Sequence, residues 1–159
     1  MFEIMIWVAI GLVSGSVPWA LLVGKLLARK DIRKVGDGNP GVVNVWKASG
    51  SALGVLALVL EIGKSFLPVY FSTRYLSMPS EFPAQASLAL VAVAPIVGHG
   101  WSPFLRFKGG KAIATTWGSW IAITDGVALP VGCVLLIVMH GIQRNHAITV
   151  TFCLLGFLV

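Results

Sequence analysis

The feature that most constrains the fold of this 159-residue chain is a series of long apolar segments. A helix needs about 20 consecutive apolar residues to cross the hydrocarbon core of a bilayer, which is about 30 Å thick. Three segments approach or exceed that length and three later ones are shorter: 4–24, 51–71 and 82–98, then 112–124, 126–139 and 147–159. The pattern predicts an all-α fold, a polytopic transmembrane helical bundle with five hydrophobic spans and a partial sixth.

Two details refine the helix pattern. Segments 112–124 and 126–139 are separated by the turn-forming pair Asp125-Gly126, so they form either two short helices or one long tilted helix with a break. The Ser-Gly-Ser-Val-Pro stretch at 14–18 is expected to break the first span and to allow close contact with another helix.

The composition favours membrane helices over a soluble domain. Charged residues make up 11% of the chain, against roughly 25% in an average soluble protein, and the mean hydropathy is +0.87. The polar segments are too short to be linkers, so residues 1–159 are expected to form a single integral-membrane domain. Because a helix of residues 147–159 would reach only about 20 Å, this domain is expected to lack the C-terminal part of a longer fold.

The net charge of +6 comes mainly from three polar segments. Ten of the 12 Lys and Arg residues lie in segments 25–47, 99–111 and 140–146. Cytoplasmic loops of membrane proteins carry such an excess of basic residues, so the pattern predicts that these segments are cytoplasmic and the N-terminus is outside. The basic residues are interpreted as topology signals and anion ligands, and no nucleic-acid partner is predicted.

The first basic segment contains a glycine-rich loop at 36–41, with the sequence Gly-Asp-Gly-Asn-Pro-Gly. Its glycines have the GxGxxG spacing, but a dinucleotide site requires a preceding strand, and here a membrane helix and a basic linker precede the loop. Glycines also let successive backbone N–H groups turn toward one anion, and Lys47 is one of several nearby basic residues. A flexible cytoplasmic loop fits the same spacing equally well.

The second basic segment, 99–111, ends in Lys-Gly-Gly-Lys and leads into a new helix. Free N–H groups at a helix start, together with Lys108 and Lys111, favour phosphate binding. The loop is not a P-loop, because Leu105 and Ala112 stand where that motif has Gly and Ser or Thr. The alternative is a lysine anchor at the lipid headgroups.

Two ionisable residues, Glu61 and Lys64, fall inside the second span and share one helix face. Ionisable residues within a span usually face the bundle interior, so these form either the floor of a polar site or, as the preferred interpretation, a structural ion pair.

The histidines are scattered and no carboxylate pair accompanies them, so no metal site is predicted. The two anion-binding loops are expected to converge on one pocket, where a phosphate-bearing substrate meets a lipid-soluble one.

Several short motifs, taken in order, resemble a known family. They are Gly-Ser-Val-Pro at 15–18, Asp-Ile-Arg at 31–33, the loop 36–41 with Asn44, Glu-x-x-Lys at 61–64, Gly-His at 98–99, Phe-Lys-Gly-Gly-Lys at 107–111 and Ala-Thr at 114–115. Spread over about residues 11–139, the set is similar to the bacterial membrane-integral glycerol-3-phosphate acyltransferases that use acyl phosphate. The resemblance implies transfer of a fatty acyl group from acyl phosphate to the sn-1 hydroxyl of glycerol 3-phosphate, giving lysophosphatidate and phosphate without a cofactor.

The resemblance also implies roles for individual residues. The implied catalytic residues are Lys111, Lys47 and Asn44. The implied substrate-binding residues are Gly36, Asp37, Gly38, Asn39, Lys108, Gly109, Gly110, His99 and Ser16, and no metal ligand is implied. The expected partners are glycerol 3-phosphate, fatty acyl phosphate and the lipid bilayer of the bacterial cell membrane, where the protein is expected to act as a monomer.

Some positions depart from the family pattern. Asp37 stands where the family usually has serine, and Lys47 stands where it has arginine, whose bidentate fork lysine lacks. Ala112 replaces a glycine, residues 143–146 replace a serine-bearing stretch, and the family's third motif, with His and Asn, would follow the last residue of this sequence. One alternative is therefore a non-catalytic relative that binds phospholipid or a membrane partner, and another is a small transporter, suggested by the ionisable pair inside a span.

Overall fold

The computed structural model describes residues 1–76, 84–142 and 151–152. These residues form helices and turns without any strand, which confirms the all-α prediction for the described part of the chain. The α-helices are α1 (Phe2–Ser16), α2 (Trp19–Leu22), α3 (Val42–Ser49), α4 (Ser51–Tyr75), α5 (Ala84–Gly100), α6 (Ile113–Ile123) and α7 (Ala128–Ile142). A π-helical turn at Val23–Leu27 follows α2, and 3-10 turns occur at Ile32–Lys34 and Pro103–Leu105.

Three helical segments of the described residues are long and apolar enough to cross a membrane: Phe2–Leu27, Ser51–Tyr75 and Ala84–Leu105. The sequence predicts five spans, but α6 and α7 have only 11 and 15 residues, and an 11-residue helix reaches about 16 Å. Asp125 and Gly126 both have positive φ between α6 and α7, which confirms the alternative of two separate helices. The predicted sixth segment, 147–159, lies almost wholly outside the described residues.

The first span is broken where the sequence predicts. Helix α1 ends at Ser16, Val17 is extended, and Pro18 precedes the short helix α2. Gly15 lies so close to α5 that a methyl group in its place would collide with the backbone of Pro95. Small residues therefore bring α1 and α5 into direct backbone contact, as in other closely packed membrane helices.

An apolar core lies beneath the first basic loop and joins α2 and α3 to α4. Its fully buried members are Ala20, Leu21, Val23, Ile32, Val45 and Ala57. The Trp46 ring of α3 covers Gly54 of α4, where any side chain larger than hydrogen would collide with it. The short helix α3 is therefore fixed against the long helix α4, and with it the polar residues that α3 carries.

A separate ion pair holds the opposite end of α4. Arg74 Nη2 lies 2.7 Å from Asp125 Oδ1, and the guanidinium stacks 3.6 Å above the Tyr70 ring. The sequence assigns Arg74 and Asp125 to the membrane side opposite the basic loops. Both residues indeed lie at the end of α4 that is remote from α3.

Candidate functional site

The two basic loops meet in the folded chain. Lys111 Nζ lies 2.7 Å from Asp37 Oδ2, although 74 positions separate the two residues in the sequence. An open cleft of about 860 Å³ lies between the loops and is lined by residues of both: Arg33, Asp37, Gly38, Asn39, Pro40, Phe104, Leu105, Arg106, Lys108, Gly109 and Lys111. The predicted convergence of segments 25–47 and 99–111 is therefore confirmed.

The buried Asn44 of α3 organises the first loop. Its Nδ2 donates to Asp37 Oδ1 at 3.0 Å and to the Asn39 carbonyl at 2.9 Å. Among the described residues its Oδ1 has no hydrogen-bond partner. This oxygen faces Gly36, where a methyl group would collide with it and would also lie 3.4 Å from Lys47 Nζ. Asn44 thus shapes the loop with one end of its amide and offers a free acceptor at the other.

Asp37 makes the cleft less positive than its lysines alone suggest. The Lys111 ammonium, the Asn39 N–H and the Asn44 amide hold the pKa of the Asp37 carboxyl well below its usual range. The carboxylate is therefore ionised at neutral pH and forms an ion pair with the Lys111 ammonium. The side chain of Lys111 is 62% exposed, so the pair is open to water and a stronger anion can compete for the lysine. A phosphate that binds Lys111 therefore competes with Asp37 for the same charge.

The second loop packs its two glycines against the end of α5. The Gly109 N–H donates to the Gly100 carbonyl at 3.1 Å, and the Gly110 N–H donates to the His99 carbonyl at 3.3 Å. A side chain at Gly109 would collide with the His99 carbonyl, and one at Gly110 would collide with the His99 ring. These two N–H groups already donate to backbone carbonyls and are not available to a ligand. An anion at this loop would therefore be bound mainly by the lysines and by the N-terminus of α6.

A buried polar cluster lies behind this loop. Lys64 Nζ is 2.7 Å from Glu61 Oε2 and 2.8 Å from His99 Nδ1, which is 3.2 Å from the same carboxylate oxygen. Lys64 Nζ also donates to the Val17 carbonyl, and Glu61 Oε1 accepts the Ala20 N–H, so the pair satisfies backbone groups freed by the break after α1. The preferred interpretation of Glu61 and Lys64 as a structural ion pair agrees with this geometry, whereas no sequence pattern indicates that His99 joins them.

The predicted site residues occupy four places. Those on the cleft wall are Asp37, Gly38, Asn39, Lys108, Gly109 and Lys111. Gly36, Asn44 and Lys47 lie together beside the first loop, and Gly110 covers His99 behind the second. Ser16 is buried apart from the cleft, in an apolar groove of about 270 Å³ between α1 and α5.

Two basic residues of the cleft are absent from the predicted site residues. Arg33 lines the cleft while its Nε and Nη2 donate to Asp31, which fixes the guanidinium. Arg106 lines the other wall from a left-handed backbone conformation with φ of 54°. Asp-Ile-Arg at 31–33 is one of the motifs of the family resemblance, which assigned no role to Arg33, and nothing in the sequence distinguishes Arg106 from other basic loop residues. In the parts of the chain that the structure describes, no three His, Cys, Asp or Glu side chains are grouped to hold a metal ion.

Comparisons with known proteins agree with this architecture. A family profile described as glycerol-3-phosphate acyltransferase matches residues 5–159. The glycerol-3-phosphate acyltransferase of Anaeromyxobacter dehalogenans is 39% identical over 141 residues, which cover 89% of this chain and 69% of that protein. Glycerol-3-phosphate acyltransferase 1 of Thermotoga maritima is 40% identical over 117 residues, covering 74% of this chain and 56% of that protein.

Two solved structures have the same arrangement of helices. Both are of PlsY, an integral membrane glycerol 3-phosphate acyltransferase, one in the glycerol 3-phosphate form and one in the lysophosphatidic acid form. Each matches with a TM-score of 0.81, at 28% and 27% identity, and the matches cover 95% and 97% of this chain and 72% and 73% of those chains. The chain is thus a member of the glycerol-3-phosphate acyltransferase family of integral membrane proteins.

Proposed function

We propose that this protein transfers a fatty acyl group from acyl phosphate to the sn-1 hydroxyl of glycerol 3-phosphate, at the cytoplasmic face of the bacterial cell membrane. The observation that carries the proposal is the single cleft in which Lys108 and Lys111 of one loop face Asp37 and Asn39 of the other. The printed names of the relatives, and the ligand forms of the two solved structures, support the same acceptor.

The chemistry requires charge placement more than a strong nucleophile. Acyl phosphate is an activated mixed anhydride, so the sn-1 oxygen attacks its carbonyl carbon and the bond to the phosphate oxygen breaks. The products are lysophosphatidate and inorganic phosphate, and the hydroxyl proton leaves with the phosphate or with water. Positioned lysines and amides accelerate such a step by holding two anions in reach of each other and by stabilising developing charge.

Individual residues are assigned to this work by their positions. Lys111, with Lys108, binds the phosphate of the acceptor after it exchanges Asp37 for the substrate. Lys47 and Asn44 lie together beside Gly36 of the first loop. Lys47 stabilises the second phosphate there, and the Asn44 Oδ1, which has no hydrogen-bond partner among the described residues, accepts a substrate hydroxyl. Once it is displaced from Lys111, the Asp37 carboxylate is available to accept a hydrogen bond from another hydroxyl of glycerol 3-phosphate.

The acyl chain is assigned to the apolar groove between α1 and α5. Leu12, Val97 and Trp101 line this groove, and Phe104 borders both the groove and the polar cleft. A donor whose phosphate sits in the cleft could therefore pass its tail over Phe104 into an apolar surface that faces lipid. The proposal includes the predicted topology, in which the N-terminus is outside, the basic loops are cytoplasmic and one chain provides the whole site.

The activity test uses protein purified in detergent and measures phosphate released from acyl phosphate. Release should require glycerol 3-phosphate, and Lys111→Ala should reduce it at least about a hundredfold, since the lysine both binds and orients an anion. Lys34→Ala is the matched control, because Lys34 is an exposed basic residue of the same face outside the cleft lining. Equal rates in the two variants would refute the role of Lys111.

A non-catalytic phospholipid-binding relative is the second candidate, and the ion pair between Asp37 and Lys111 is the observation that favours it. In that case the protein would bind lysophosphatidate through the same cleft without releasing phosphate from acyl phosphate. Measuring binding and turnover on one preparation separates the two functions.

A further inference from the structure

We propose that Glu61 and Lys64 are positioning residues that hold His99 in one tautomer, with Nδ1 as an acceptor and the ring hydrogen on Nε2, facing the seam between the two basic loops. The effect on substrate rests on the proposed function, whereas the tautomer itself does not.

Lys64 makes three short polar contacts. Its Nζ lies 2.7 Å from Glu61 Oε2 in an ion pair, and it forms hydrogen bonds with His99 Nδ1 at 2.8 Å and with the Val17 carbonyl at 2.9 Å. Because an ammonium group has donors and no acceptor, His99 Nδ1 is the acceptor of its hydrogen bond with Lys64. The side chains of Lys64 and Glu61 are each 1% exposed, and a buried charge of either sign requires the other beside it.

The same contacts exclude a hydrogen on Nδ1 of His99. An ammonium hydrogen and a ring hydrogen would then lie together in the 2.8 Å between Nζ and Nδ1. An imidazolium would require a neutral Lys64, but the carboxylate oxygen is nearer to Nζ, at 2.7 Å, than to Nδ1, at 3.2 Å. A neutral imidazole whose Nδ1 accepts must carry its hydrogen on Nε2.

The other ring nitrogen lies at the junction of the loops. A methyl group on Gly110 would collide with His99 Nε2 and would lie 3.4 Å from Asn39 Oδ1, so both atoms border the same small space. The His99 carbonyl accepts the Gly110 N–H, and Lys111 is the next residue. A hydrogen on Nε2 adds a donor beneath the phosphate-binding loop, whereas a bare Nε2 would present a lone pair where the site must attract anions.

The first test is nitrogen NMR of the imidazole in detergent-solubilised protein. A His140→Gln, His146→Gln variant leaves His99 as the sole histidine of the chain, which makes the assignment direct. The proposal predicts a bare Nδ1 and a protonated Nε2 at neutral pH. A spectrum with a hydrogen on Nδ1, in the neutral ring or in an imidazolium, overturns it, and this result does not depend on transferase activity.

The second test uses Lys64→Met, which removes the donor to Nδ1. The ring hydrogen should then move from Nε2 to the freed Nδ1 and be donated to Glu61. The KM for glycerol 3-phosphate should rise about tenfold, the scale of one hydrogen bond to a charged group, with less change in kcat. Ser14→Ala is the control, because it removes only the hydroxyl that donates to the Lys64 carbonyl on the same turn of α4. Ser14→Ala should leave His99 Nδ1 without a hydrogen and should keep the KM for glycerol 3-phosphate within about twofold of the wild-type value.

Equal KM values in Lys64→Met and Ser14→Ala would overturn the positioning role, because loosened packing would then explain both. If Lys64→Met fails to fold, the NMR result on the chain with native Lys64 decides the tautomer alone. A bare Nδ1 in a protein without transferase activity would keep the tautomer and refute the proposed function.

Discussion

Removing either member of the buried Glu61–Lys64 pair should destabilise the protein by about 3–5 kcal/mol, because the charge that remains is buried and has lost its ion-pair partner. Glu61→Leu leaves the Lys64 ammonium with only His99 and the Val17 carbonyl. Lys64→Met leaves the Glu61 carboxylate, which His99 can partly compensate by moving its ring hydrogen to Nδ1 and donating it to Glu61. We therefore expect Lys64→Met at the lower end of this range and Glu61→Leu at the upper end.

The double variant Glu61→Leu, Lys64→Met removes both charges but leaves two backbone groups at the break after α1 without their partners. These are the Val17 carbonyl and the Ala20 N–H, which bond to the pair at 2.9 Å each. At about 1–3 kcal/mol for each unsatisfied buried group, the double variant should cost about 2–6 kcal/mol. Independent effects of the two substitutions would instead add to about 6–10 kcal/mol.

The assay is reversible unfolding in mixed detergent micelles, with the free energy of unfolding compared across the four proteins. Ser119→Ala is a suitable reference, since it removes one buried hydrogen bond of 2.9 Å to the Ala92 carbonyl and should cost about 1 kcal/mol. A double variant that loses as much stability as the sum of the two single variants would contradict the coupling of Glu61 and Lys64. So would single variants that each lose no more stability than Ser119→Ala.

Two further predictions concern the loops. Gly110→Ala should raise the KM for glycerol 3-phosphate at least about tenfold, because the added methyl group collides with the His99 ring. Gly100→Ala is the control and should have the KM of the wild type, because nothing lies within 4 Å of a methyl group at that position. Steady-state kinetics of both variants check this prediction. Asp37→Asn should lower that KM several-fold, because it removes the anion that occupies Lys111, and an unchanged or higher KM would contradict the competition. The pKa of Asp37 is depressed, so its ionic contact is complete above the ordinary value of 3.8 and is lost only as pH falls through the lowered pKa. The Asp37→Asn effect should accordingly stay constant between about pH 6 and 8.

Much of the fold could be predicted from hydrophobicity and helix-breaking residues. The break after Ser16 and the turn at Asp125-Gly126 follow from proline and glycine positions, which act locally and can be recognised in a sequence. The number of spans could not be predicted equally well, because 112–124 and 126–139 are apolar but too short for their hydropathy to decide whether they cross. Depth in the bilayer depends on packing against other helices, which local composition does not record.

The site was predictable where charge and glycine are concentrated, and unpredictable where it depends on contacts between distant residues. The lysines of 108–111 and the loop 36–41 are visible as basic, glycine-rich segments. The pairing of Asp37 with Lys111 and the inclusion of His99 in the Glu61–Lys64 cluster join residues 74 and 35 positions apart. Such contacts arise only when α4 and α5 bring the loops together, so neither spacing nor composition could predict them.

The most direct test of a shared anion pocket is calorimetric binding of glycerol 3-phosphate to the purified protein and to one variant of each loop. The account predicts that Asn44→Ala and Lys111→Ala each weaken binding at least about tenfold, while Lys34→Ala binds like wild type. Undiminished binding in either Asn44→Ala or Lys111→Ala would contradict the claim that both loops form one site.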